Sequence, residues 1–179
     1  PGSIAQASRL KLARPDAALI NNVAAAHLEG FGSLEGVFHA KSEIFEGLSE
    51  QGTAIVNADS AFWPKWQVAG IHCAFSIEDQ NQPFHARGIA LNGQGCAEFV
   101  MVTPNGELSL TLAIPGRHNV ANALAAAAGC LALGASLASV KAGLAQMAPV
   151  KGRFCVQRWG GLTLVDDTYN ASVESVLAL

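Results

Sequence analysis

The sequence predicts an α/β fold: a mainly parallel sheet flanked by helices, with an antiparallel edge. Three observations predict it. Ala17 to Val23 is a largely apolar run of strand length, the pattern of a strand buried on both faces. A helical stretch follows and then a second strand, Thr53 to Asn57, so strand-helix-strand is complete. From Ala86 onward the pattern turns β-rich and alternating, with the hairpin sequence Pro104-Asn105-Gly106.

The elements follow in order. Ile4 to Leu12 reads as a short helix, broken by Arg14-Pro15-Asp16. After the first strand, Ser33 is the expected N-cap of a helix running to about Leu48, with Gly47 near its end. Trp63 to Val68 is a short helix with Pro64 early in it, and Cys73 to Ile77 is a short strand. Ala86 to Leu91, Ala97 to Thr103 and Leu108 to Ile114 form the antiparallel region. Val120 to Leu133 is a helix by its alanine content. Ser136 caps another helix ending near Met147, and the two pack on one face. Phe154 to Trp159 and Leu162 to Val165 make a hairpin around Gly160-Gly161.

The bulk numbers exclude several classes. Half of the 179 residues are hydrophobic and 14% are charged, which rules out a disordered chain. A net charge of -3 gives no electrostatic case for nucleic acid or an anionic membrane. No apolar run reaches the length of a membrane span. Cys73, Cys96, Cys130 and Cys155 form no CxxC pair and read as small core residues in a reducing compartment. Pro1-Gly2-Ser3 lacks Met and enters directly into a helical pattern, while Leu179 ends inside another. Both ends are therefore expected to be cut from a longer chain.

Three polar clusters fall at element ends. In the first, Leu34, Val37, Phe38, Ile44, Phe45 and Leu48 make one buried stripe, with Lys41 in its middle. Such a lysine either snorkels to solvent or has a depressed pKa that makes it reactive. His27, just after the strand, lies where open α/β sheets place ligands. The second cluster is Arg117-His118-Asn119 with Asn122. Asn119 and Asn122 share a helix face and carry both donor and acceptor, which suits a purine edge. Asn119 could equally be only an N-cap. The third is Arg153 with Asp166, Asp167, Tyr169 and Asn170. A carboxylate here can take a ribose hydroxyl or a metal, or Asp167 can simply cap a helix. Arg153 can clamp a phosphate or pair with an aspartate. No GxxxxGK[ST] loop occurs, so the phosphates of any bound nucleotide need residues outside this chain.

In this order, NNVAAAHLEGFGS, AKSEIF, GRHNVANALAAAA, GRF and DDTYNAS resemble the central domain of the Mur ligases over essentially the whole chain. The resemblance implies that domain's P-loop-like fold, here without its P-loop, and covers 1–179 as one central ATP-binding domain cut at both ends. It implies the branch that joins D-alanyl-D-alanine to UDP-N-acetylmuramoyl-tripeptide in peptidoglycan precursor synthesis, using ATP and Mg2+, in a cytoplasmic monomer. By resemblance His27 and carbamylated Lys41 bind magnesium. Asn122, with Asn119 nearby, contacts adenine, Arg153 lies on the phosphate side and Asp167 lies near the ribose. Tyr169 and Asn170 belong to the same signature, on the substrate side. Ser172 departs from the Asn-Ala-Asn expected at the signature's end. The chain alone is expected to be inactive. The rivals are a sister ligase adding a single amino acid, a metal-dependent hydrolase built on His27, Asp59 and Asp167, and a non-catalytic nucleotide-binding module.

Overall fold

The computed structural model describes residues 13–24, 32–152 and 155–168. The helix expected over Ile4 to Leu12 lies outside them, as do His27, Arg153, Tyr169 and Asn170. Six strands form one sheet in chain order: β1 (Ala17–Ile20), β2 (Thr53–Asn57), β3 (Cys73–Ser76), β4 (Phe84–Leu91), β5 (Cys96–Thr103) and β6 (Gly106–Pro115). The pairs β1–β2, β2–β3 and β3–β4 are parallel, and β4–β5 and β5–β6 are antiparallel. The predicted class is the observed one.

Two details of the sheet differ from the reading of the sequence. The first strand stops at Ile20, where its ladder with β2 ends opposite Val56. The polar groups of Asn21 and Asn22 are drawn to side chains elsewhere instead. The strand predicted as the start of the antiparallel region also pairs in parallel with β3, through Phe75 with Phe84 and Ser76 with His85. Thus β4 starts beside the end of β3 and runs on past it. Strands β4 to β6 therefore stand beyond the carboxyl ends of β1 to β3 as a wall.

The parallel strands β1 to β3 are covered on both faces, which is why β2 carries two fully buried residues side by side, Ile55 and Val56. Alternation sends Ile55 and Phe75 into one core and Ile20, Val56 and Ala74 into the other. The first core is covered by α3 (His118–Ala132) and α4 (Leu137–Ala145). Helix α3 buries Val120, Ala123, Leu124, Ala125, Ala127 and Ala128, and touches every strand from β1 to β6. Its small residues let the helix lie close to the sheet. Ser136 caps α4 as expected, its Oγ accepting from Ser139 N at 3.1 Å.

The second core is covered by α1 (Leu34–Ser42), a 3-10 helix (Glu43–Gly47) and α2 (Trp63–Val68). Ser33 caps α1, accepting from Gly36 N at 3.0 Å. The rings of Phe38 and Phe62 stack with centroids 4.7 Å apart, and buried Trp66 donates Nε1–H to Ser42 Oγ at 3.1 Å. This joins α2 to α1. The change to three residues per turn at Glu43 breaks the single stripe expected through Leu48. Val37 and Phe38 are buried, but Leu34 is 38% exposed and Lys41 is exposed rather than core-facing.

Strands β7 (Cys155–Trp159) and β8 (Leu162–Asp166) form a separate two-stranded hairpin. Gly160 turns it with a positive φ of 58°, a backbone region glycine enters at little cost.

Candidate functional site at the carboxyl edge of the sheet

Parallel strands deliver their carboxyl ends to one side, where open α/β sheets bind ligands. Here that side collects Asn21 and Asn22 after β1, Asn57 and Asp59 after β2, and Ser76 to Asp79 after β3. The start of α3 adds Arg117, Asn119 and Asn122. That start is set by Gly116, which has φ 105° and donates its N–H to Gly95 O at 2.9 Å. A Cβ on Gly116 would meet the His118 ring at 2.5 Å, so the turn holds both a left-handed backbone and a side chain folded over it.

A chain of amides runs along the edge. Asn119 Nδ2 donates to Pro115 O at 2.7 Å, Asn122 Nδ2 to Asn119 Oδ1 at 3.0 Å, and Asn21 Nδ2 to Asn122 Oδ1 at 2.8 Å. Asn119 is therefore not the N-cap: it lies inside α3, and its amide donates backwards. Asn122 is half-buried, and its hydrogen bond to Asn21 ties α3 to β1 across 101 residues.

Lys41 reaches the same edge from α1, its Nζ donating to Asn22 O at 2.8 Å. The residue as a whole is exposed, yet partial burial lowers its pKa from the ordinary lysine value. The two readings of this lysine thus meet: the stem lies outside the core, and the amine is engaged at the strand end.

Asp59 does a different job from the one the hydrolase reading gave it. Ser76 Oγ donates to its Oδ1, and Ile77 N donates to its Oδ2 at 2.9 Å. Buried Ser76 Oγ also accepts from Glu78 N at 2.9 Å and Asp79 N at 2.6 Å. Asp79 in turn accepts from Asn81 N at 3.0 Å and Gln82 Nε2 at 2.6 Å. Together these bonds hold the loop that carries β3 into β4. The Asn81 and Gln82 donors hold the Asp79 carboxyl below the usual range. Arg117 donates to Glu78 Oε1 at 2.6 Å and lowers the Glu78 carboxyl likewise. Among the described residues, no three His, Cys, Asp or Glu side chains are grouped to hold a metal.

Of the third cluster, Asp166 and Asp167 are described, at the end of β8. Asp166 Oδ1 accepts from Thr168 Oγ1 at 2.7 Å and from Thr168 N at 3.3 Å, and Asp167 is half-buried beside it. A cleft of about 500 Å³ separates the hairpin from the wall, lined by Cys96, Pro115, Val156, Arg158 and Thr163 among others. That volume is in the range of small-molecule sites.

Sequence reasoning missed Asn21, Ser76 and Asp79 as members of this edge. The signal for Asn21 was the polar pair that interrupts an apolar run. For Ser76 it was a hydroxyl at a strand end with open backbone N–H groups two and three residues on.

A six-stranded mixed sheet whose parallel strands are covered on both faces, with lysine and asparagines gathered at its carboxyl edge, defines an open α/β domain with a candidate ligand site at that edge. The family model described as Mur ligase middle domain matches residues 2–130, and the chain belongs to that family. It is 51% identical over 173 residues to the UDP-N-acetylmuramoyl-tripeptide–D-alanyl-D-alanine ligase of Escherichia coli strain K12, covering 94% of this chain and 38% of that protein. A crystal structure of MurF from Acinetobacter baumannii superposes with a TM-score of 0.86 at 36% identity, over 96% of this chain and 38% of that one. A MurF ligase from Thermotoga maritima in complex with ADP superposes with a TM-score of 0.79 at 27% identity, over 96% and 40%. The chain thus spans about two fifths of the length of these relatives.

Proposed function

We propose that the protein carrying this chain is an ATP-dependent ligase that joins D-alanyl-D-alanine to UDP-N-acetylmuramoyl-tripeptide. In this reading residues 1–179 are its central, ATP-binding domain, cut at both ends. The observation that carries it is one sheet edge holding Lys41 on Asn22 and, alongside, Asn122 between Asn21 and Asn119. That is a metal-side group and a base-side group on one rim.

Each residue has a role. Asn122 and Asn119 hold the adenine edge, Asp167 a ribose hydroxyl and Arg153 a phosphate, while Tyr169 and Asn170 face the peptide substrate. The amine of Lys41, reachable by dissolved CO2 and lowered in pKa, forms an N–C bond to CO2 and releases a proton. The resulting carbamate is a hard oxygen donor of the kind magnesium takes, so the donor set with His27 fits the ion. Magnesium, when bound, supplies charge neutralisation between carboxylate and phosphates. In the reaction the tripeptide's terminal carboxylate oxygen bonds to the γ-phosphorus as the bridging O–P bond breaks, leaving ADP and an acyl phosphate. The dipeptide amine then bonds to the acyl carbon, loses a proton and expels inorganic phosphate. The domain's part in both steps is to position the reactants and balance their charge.

The test is phosphate release by the intact protein with ATP, magnesium, the tripeptide and either D-alanyl-D-alanine or single amino acids. Dipeptide-dependent release, nearly abolished by Lys41→Ala, is expected. Turnover with a single amino acid in place of the dipeptide overturns the assignment. The 179-residue chain alone is expected to release no phosphate.

A further inference from the structure

The amide chain has a direction, and the direction is forced. Amide oxygen and nitrogen are assigned from their partners rather than by shape. A carbonyl can only accept, so Asn119 must turn Nδ2 toward Pro115 O. Its Oδ1 then faces Asn122 and must meet Nδ2, and Oδ1 of Asn122 must in turn meet Nδ2 of Asn21. Reversing any one amide sets oxygen against oxygen or N–H against N–H. The chain ends at Asn21 Oδ1, which is buried and has no hydrogen-bond partner among the described residues. A buried acceptor without a donor opposes folding. The contribution of this side chain is therefore its nitrogen.

We propose that Asn21 is a positioning residue: by donating to Asn122 Oδ1 it adds a second anchor to the one Asn119 supplies, and the two together hold that amide in the orientation that accepts adenine and rejects a 6-oxopurine. The inference rests on the reading of Asn122 as a base contact given above. Beyond its two bonds in the chain, half-buried Asn122 keeps one Nδ2 proton and one Oδ1 lone pair. Adenine offers a donor at N6 and an acceptor at N7, which one asparagine amide matches at once. Hypoxanthine offers acceptors at both O6 and N7. Against a locked Asn122, its O6 meets Oδ1 and is repelled. An amide free to turn can present Nδ2 to either base.

The experiment is equilibrium binding of ATP and ITP to the intact protein, for wild type, Asn21→Leu and Asn21→Asp. Leucine matches asparagine in size and has no amide, and aspartate keeps the shape of asparagine but can only accept. The wild type is expected to prefer ATP by about 10- to 100-fold, the range one bidentate base contact supplies. In Asn21→Leu the Asn119 bond remains, so ATP weakens while ITP changes little and the ratio falls by about threefold or more without reaching unity. Asn21→Asp turns only acceptors toward Asn122 Oδ1, so it lowers the same ratio, and it carries the test should Asn21→Leu fail to fold. An unchanged ratio overturns the proposal, and so does an equal loss for both nucleotides, which is what a merely structural role gives. A wild type that does not distinguish ATP from ITP sinks the base-contact reading itself, and the role of Asn21 with it.

Discussion

Replacing Asn122 by alanine tests the geometry of the edge by the sign of a stability change. Asn122 lies inside α3, and an asparagine at a helix interior position is poorer than alanine by about 0.5 kcal/mol. If its side chain did nothing, Asn122→Ala would stabilise the protein by that amount. The structure gives the opposite sign. The substitution removes the 2.8 Å bond from Asn21 and the 3.0 Å bond to Asn119, leaving both partly buried partners unpaired. At about 1 to 1.5 kcal/mol each, the two losses sum to roughly 2 to 3 kcal/mol. After the helix-propensity gain, a net destabilisation of about 2 kcal/mol remains. Equilibrium urea unfolding of the 179-residue chain measures it, and a cycle with Asn21→Ala isolates the shared bond at about 1 kcal/mol of coupling. A variant as stable as the parent or more so would refute the amide chain.

Two further outcomes follow from the loop between β3 and β4. Ser76→Ala removes the donor to Asp59 and the acceptor of the Glu78 and Asp79 N–H groups, so it should cost about 2 to 3 kcal/mol and speed hydrogen exchange at those two amides. Exchange there that stays slow would show the loop is held by something else. Acid should loosen the same region, because Glu78 and Asp79 have carboxyls lowered by Arg117 and by the Asn81 and Gln82 donors. A carboxyl lowered in the folded state gives stability that is present above its ordinary value, 4.5 for Glu and 3.8 for Asp, and is lost as pH falls further. A melting temperature flat from pH 6 to 3 would contradict this.

Much of this was readable in the residues, for reasons that differ from place to place. Thr53–Asn57 and Trp63–Val68 fall where expected, because local pattern and tertiary burial agree there. Lys41 was read at the right spot but for the wrong reason. A single 3.6-residue period was carried through Glu43, where the chain tightens into a 3-10 helix. The parallel start of β4 was hidden because strand direction depends on a loop whose bonds, from Ser76 and Asp59, join residues 17 apart. Asn21 was hidden more deeply, since its role depends on a partner 101 residues away in the chain.

The order of the strands has a kinetic consequence. Because the sheet runs β1 to β6 in chain order, each new strand pairs with the one before it. The sheet can therefore grow by a series of short loop closures. The exception is α3, which returns from β6 to β1 and closes 101 residues through Asn21 and Asn122. Made directly, that closure would cost about 4 kcal/mol in chain entropy. Made after the strands have zipped, most of it has been met one hairpin or crossover at a time. The rim of the sheet is thus the part of the molecule whose geometry waits on all the rest.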